Sequence, residues 1–209
     1  VDHSHADAVV TISNTPSGAD HLRQIYGDEV LILPYIMPGF ILAQQVAEAT
    51  KSVDWSSLKG IVLLHHGIFT FNEDAKASYD TMIELVAKAE EFVASNIDGT
   101  TISLGEYETS SEDCLQLAKL RRAAGEMFGG PVLLRFDNSQ EAVGFSSREN
   151  VSDLATRGPL TPDHTIHAKA FAAIFQDDPA GDLTDFKESY TEYFNEHKTD
   201  EKNNHKKAY

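Results

Sequence analysis

Residues 61–67 read Ile61-Val62-Leu63-Leu64-His65-His66-Gly67. Four consecutive apolar residues are too few for a helix and suit a strand covered on both faces. Ile61 to Leu64 is therefore expected to be a central, buried strand. His65-His66 stands at its C-terminal end, where open α/β folds gather their sites. Gly67 permits a sharp turn and leaves room beside a ligand. On a continuing strand the two imidazoles point opposite ways, so only one of them is expected to be a ligand.

Working outward, Glu29 to Leu33 reads as a second buried strand, bounded by Gly27-Asp28 and Pro34. Gly39 to Thr50 has helical spacing, with Phe40, Leu42, Ala43, Val46 and Ala47 near one face. Val9 to Ile12 is a short β-prone run. Downstream, Asn72 is placed to cap a helix with Glu73 and Asp74 in its first turn. The i, i+3, i+4 pattern of Tyr79, Met82, Ile83, Val86, Ala89 and Phe92 carries that helix to about Asn96. Ser110 or Ser111 can cap a further helix to about Phe128, closed by Gly129-Gly130-Pro131. Val132 to Phe136 and Ala142 to Phe145 are strand-like, Asn150 to Ala155 a short helix or turn, and Leu183 to Glu196 a last helix. His197 to Tyr209 is expected to be a polar tail or linker. Strands alternating with helices predict an α/β fold, an αβα layered domain over residues 1–196 with a mixed sheet.

The 209 residues are enough for one sizeable domain, and 41% hydrophobic with 24% charged is an ordinary globular composition. A formal net charge of -16 repels nucleic acid and anionic membranes, so neither is an expected partner. Any anion site must be local; Arg121-Arg122 is one candidate, although a solvated helix face is the simpler reading. No apolar run approaches the ~20 residues that span a bilayer. The single cysteine, Cys114, allows no intrachain disulfide, which fits a reducing, cytoplasmic setting.

His3 and His5 form an H-x-H pair, and on an extended segment both rings project to one side. With one histidine of the His65-His66 pair they make three imidazoles, and three protein ligands plus an open position is the arrangement of a catalytic metal site. One cysteine excludes a Cys-rich structural zinc site. His164, in the loop after Pro162, can contact an active site, hydrogen-bond behind a ligand, or cap a turn. Glu73 reads as a helix-start acid, His21 as a helical residue, and His167, His197 and His205 as surface residues.

Asp2-His3-Ser4-His5-Ala6-Asp7-Ala8 resembles the H-T-H-P-x-A stretch of the class II aldolase/adducin family, and Leu63-Leu64-His65-His66-Gly67-Ile68-Phe69 its L-x-N-H-G-L-F stretch. The spacing of about sixty residues matches as well. Leu33 to Phe40 and Arg157 to His164 resemble a branch in which this domain is fused to a short-chain dehydrogenase, as in bifunctional rhamnulose-phosphate aldolase/dehydrogenases. The resemblance implies His3, His5 and His66 as ligands of Zn²⁺ or another divalent metal. His65 replaces the family's asparagine, and its role as a ligand's neighbour, a substrate contact or a structural residue stays open. The implied reaction is reversible aldol cleavage of a small ketose phosphate through a metal-stabilised enediolate, in a homo-oligomer, commonly a tetramer. The alternatives within the resemblance are an adducin-like binding module without catalysis and a metal-dependent sugar-phosphate epimerase or decarboxylase. The family's phosphate loops and catalytic acid precede the H-x-H motif. The opening at Val1 therefore leads us to expect a catalytic residue upstream, the remaining N-terminal part of the same polypeptide as a partner, and weak or no activity from residues 1–209 alone.

Overall fold

The computed structural model describes residues 1–96, 104, 106–176 and 178–198. The chain divides into two compact units, one of Val1–Thr100 with Gly158–Ala170, the other of Thr101–Arg157 with Phe171–Tyr209. The expected polar tail lies outside the described residues from position 199 onward.

The first unit is built on a four-stranded mixed sheet. Its strands are β1 (Asp2–Ser4), β2 (Val30–Leu33), β3 (Gly60–Leu63) and β4 (Gly67–Thr70), in the order β1-β4-β3-β2. Strands β2 and β3 are parallel, β3 and β4 form an antiparallel hairpin, and β1 pairs antiparallel to β4. As the apolar run predicts, β3 is interior to the sheet and buried along its whole length, one residue earlier than expected. Alternation sorts its side chains: Val62 faces one core, with Val30 and Ile68, while Ile61 and Leu63 face a second, with Leu33.

Helices α1 (Asp7–Ser13), α2 (Gly18–Tyr26) and α4 (Ala75–Asn96) cover the first face through Val9, Ile12, Leu22, Tyr26, Met82, Leu85 and Ala89. Helix α3 (Phe40–Ala49) covers the second through Leu42, Val46 and Ala49. Phe40, expected on its buried face, is exposed. The α/β architecture is as expected, with helices on both faces of the sheet.

Local differences have physical causes. The β-prone Val9 to Ile12 is helical. Propensity is a weak preference, and the helix puts Val9, Val10 and Ile12 all within 3% of full burial. Asn72 does not cap α4. Its Oδ1 accepts from the Asp74 amide at 3.0 Å, and Asp74 in turn accepts from the Lys76 amide at 3.1 Å, so the capping carboxylate is Asp74.

In the second unit α5 (Ser111–Phe128) starts in a capping box. The Ser110 hydroxyl accepts from the Asp113 amide at 3.2 Å, and Asp113 accepts from the Ser110 amide at 2.7 Å. Gly129, at φ 74°, ends it in the left-handed conformation that favours glycine. The strand-like Val132 to Phe136 is irregular and open to solvent, with Leu133 92% exposed. Ala142 to Phe145, also read as a strand, lies in helix α6 (Gln140–Ser146), because Ser139 caps it by accepting from the Ala142 amide at 3.3 Å. Helices α7 (Val151–Ala155) and α9 (Pro179–His197) lie near their expected positions. Helix α8 (Pro162–His167) belongs to the first unit.

Candidate metal centre

His3 lies in the middle of β1, opposite Phe69 of β4. Its ring stacks on the Phe69 ring with centroids 3.9 Å apart and 10° between planes. His5 follows the end of β1. His66 is the last residue of the turn joining β3 to β4, with its amide donating to the Leu63 carbonyl at 3.1 Å. The hairpin thus brings residues 61 positions apart onto one spot.

Gly67 makes this approach possible. A Cβ there would collide with the Ser4 carbonyl oxygen and sit 3.1 Å from His5 Cδ2. Only a glycine lets the end of β1 pass this close to the hairpin.

His65 and His66 do not alternate along a strand, as the sequence suggested. They occupy the turn, and His65 takes φ 59°, a left-handed conformation unusual for a non-glycine residue. The turn itself therefore decides which histidine is inward: His66 is 7% exposed and His65 is open to solvent.

One ring nitrogen from each of His3, His5 and His66 lies within 4.8 Å of the other two, a group that could hold a metal ion. Nε2 of His5 is 3.0 Å from Nε2 of His3 and 3.3 Å from Nε2 of His66. The outer nitrogens identify the tautomers. His3 Nδ1 lies 3.0 Å from the Ile68 carbonyl oxygen, an acceptor only, so Nδ1 carries the proton and donates. His5 Nδ1 lies 2.7 Å from Asp163 Oδ2, again an acceptor when ionised, and donates likewise. In the neutral rings both Nε2 atoms are then bare, with lone pairs facing each other at 3.0 Å. Lone pairs so close repel unless a cation lies between them. The donor set therefore fits a borderline-soft divalent ion such as Zn²⁺, for which imidazole nitrogens are natural ligands.

Burial favours the neutral form that ligation requires in His3 and His66. Burial pushes the pKa of His3 below the ordinary imidazole value, against the opposing pull of the Ile68 carbonyl, and His5 lowers it further. His66 is also lowered, first by burial and then by repulsion from His5 and His3. The hydrogen bond from His5 holds the Asp163 carboxyl below the usual carboxylate range.

Asp163 was not singled out in the sequence. It is 158 residues from His5, in a stretch that reads as a loop but forms the start of α8, so nothing in its spacing signals the contact. Its neighbour His164, a candidate for the site, turns away from the cluster. His164 Nδ1 is 2.7 Å from Thr161 Oγ1, the hydroxyl that caps α8. His65 Nδ1 meets Asn14 Oδ1 at 2.9 Å, outside the group of three. Glu73 is exposed ahead of α4 and does not join the cluster. In the second unit Arg121 donates to the Val132 carbonyl at 2.8 Å and Arg122 pairs with Glu126 at 3.0 Å, as expected of a helix surface.

Beside the cluster lies a cavity of about 450 Å³, which His66 and His65 line together with Asn14, Tyr35, Leu160 and Ile166. Among the described residues, no helix is long and apolar enough to cross a membrane.

Residues 1–93 match the model of the class II aldolase and adducin N-terminal domain, and residues 112–208 match that of the class II aldolase second domain. An uncharacterised oxidoreductase of Bacillus subtilis (strain 168), YuxG, is 26% identical over 176 residues, covering 81% of this chain. The chain spans 25% of that relative's length. A solved structure described as the N-terminal class II aldolase domain of a conserved Thermoplasma acidophilum protein is 44% identical. The match covers 44% of this chain and 40% of that one, with a TM-score of 0.39.

Proposed function

Because this chain belongs to the class II aldolase/adducin family, we propose that it is a metal-dependent lyase that reversibly cleaves a small ketose phosphate by an aldol reaction. One observation carries the reading. The Ile68 carbonyl and the Asp163 carboxylate orient His3 and His5 so that their bare Nε2 atoms converge beside that of His66. A binding module without catalysis has no need of imidazoles aimed so that they repel.

A divalent ion held by these three would act as a Lewis acid, drawing off the negative charge that builds up as a carbon–carbon bond beside a carbonyl breaks. The chain's own residues prepare that role. Ile68 and Asp163 hold two rings in the ligating tautomer, and the hairpin turn buries the third. Three protein ligands would leave a coordination position for substrate, and His66 also lines the adjoining cavity. A homo-oligomer in a reducing, cytoplasmic setting belongs to the same reading. The oxidoreductase name of the Bacillus subtilis relative describes a protein more than three times as long, of which the match covers 25%.

The test is to load the purified protein with Zn²⁺, Mn²⁺ or Co²⁺ and follow release of dihydroxyacetone phosphate from ketose 1-phosphates. The expected result is metal-dependent cleavage that His66→Ala abolishes. Metal binding with inversion of a carbinol carbon and no cleavage would assign the protein to epimerisation instead. Cleavage that survives chelation and His66→Ala would remove the metal from the mechanism.

A further inference from the structure

His65 is not used by the metal cluster, yet three features of the structure single it out. Its backbone is left-handed at φ 59°, a conformation that β-carbon-bearing residues seldom adopt without a reason. The end of α1 holds it twice: the His65 amide donates to Ser13 Oγ at 3.1 Å, and its ring Nδ1 meets Asn14 Oδ1 at 2.9 Å. The ring also lines the cavity shared with the metal-cluster residue His66.

The tautomer follows from a chain of donors and acceptors. The Leu160 carbonyl can only accept, so the amide nitrogen of Asn14 faces it, at 3.0 Å. The Asn14 carbonyl oxygen is thereby turned to His65 and needs a proton from Nδ1. The neutral His65 ring then carries its lone pair on Nε2, which makes no hydrogen bond to any described residue. The residues lining the cavity include no lysine or arginine, so this space does not itself neutralise a phosphate. Its walls combine Tyr35, prolines, Leu160 and Ile166 with the polar side chains of Asn14, His66, Thr161 and Thr165, and His65 adds an acceptor whose tautomer Asn14 sets.

We infer that His65 is a substrate-binding residue whose Nε2 accepts a hydrogen bond from a hydroxyl on an uncharged, hydroxylated part of the ligand held in this cavity. The inference deepens the proposed function and rests on it for the substrate class. Asn14 is the positioning residue that sets the acceptor.

Two measurements test it on the zinc-loaded protein. The first is ¹⁵N NMR of the histidine rings, with His65 assigned by its loss in His65→Asn. Nδ1 of His65 should be protonated and Nε2 bare, and fructose 1-phosphate or xylitol should shift the Nε2 resonance as it accepts a hydrogen bond. The second is calorimetry with the same two probes. Asparagine tolerates the left-handed backbone, so His65→Asn should keep its melting temperature and its zinc affinity while binding the probes about fivefold to tenfold more weakly. A protonated Nε2 would overturn the inference, as would unchanged probe affinity in His65→Asn or a parallel loss of zinc. A His65 response without ketose phosphate cleavage would remove the aldolase reading and keep this one. Cleavage with His65 silent would do the reverse, and silence in both would remove both.

Discussion

Replacing Asp163 by alanine tests the proposed metal centre at the support most distant in sequence. The carboxylate accepts from His5 Nδ1 at 2.7 Å and so keeps the proton off Nε2. His5 Nε2 is the shared neighbour of both other ligand atoms, at 3.0 and 3.3 Å. If the tautomer changes, a proton enters the space where the three nitrogens meet. Losing a carboxylate behind a metal-binding histidine typically weakens metal affinity about 10–100-fold. Here the Asp163 side chain is 60% exposed, so water can take over part of its role, and the expected loss lies at the lower end, about tenfold. At about 1.4 kcal/mol per tenfold, that is roughly 1.4 kcal/mol. Asp163→Asn should behave similarly if the amide nitrogen turns toward His5 and reverses its tautomer. The assay is competition for Zn²⁺ against a chromophoric chelator, with the melting temperature of the metal-free protein as control. The adjoining His164→Ala is the internal comparison, since His164 bonds to Thr161 and should leave zinc affinity nearly unchanged. Zinc affinity within twofold of wild type in Asp163→Ala would refute the tautomer argument.

Three further outcomes follow from the packing. Gly67→Ala should lower stability by about 2–3 kcal/mol in urea unfolding and weaken zinc binding too, because the new methyl collides with the Ser4 carbonyl and pushes His5 out of place. Ser110→Ala should cost about 1 kcal/mol, measured by thermal melting, through loss of the capping box that opens α5. Tyr26→Phe removes the bond from the buried hydroxyl to the Leu85 carbonyl at 2.9 Å and should cost about 1 kcal/mol at neutral pH. Burial raises the Tyr26 pKa above its ordinary value of ~10. Its stabilising contribution is therefore complete below ~pH 10 and is lost as the pH rises beyond that, so unfolding followed up to pH 11 should show a flatter alkaline decline in Tyr26→Phe.

Much of the fold is legible in residues 61–64, because an uninterrupted apolar run allows few placements other than a strand covered on both faces. The helix-length patterns of α3, α4, α5 and α9 are legible for the same kind of reason: period and caps are properties of neighbouring residues. Segments whose state depends on distant partners are not. Val9 to Ile12 is helical because α2 and α4 offer it a buried seat that outweighs its β preference. Ala142 to Phe145 follows the serine cap at 139 rather than its own composition.

The site divides along the same line. His3, His5 and the His65-His66 pair can be picked out by residue type and position, since an H-x-H pair and a histidine pair before a glycine are local patterns, and the family resemblance names His66. Sequence leaves open which histidine of the 65–66 pair turns inward. The choice lies in a left-handed turn that only the β3–β4 hairpin imposes. Nor does it reveal Asp163 behind His5 or Asn14 behind His65, because hydrogen bonds spanning 158 and 51 residues leave no periodicity to read. Ligand identity is a matter of chemistry that each residue carries with it. Ligand orientation and tautomer depend on acceptors that reach the rings only once the chain has folded.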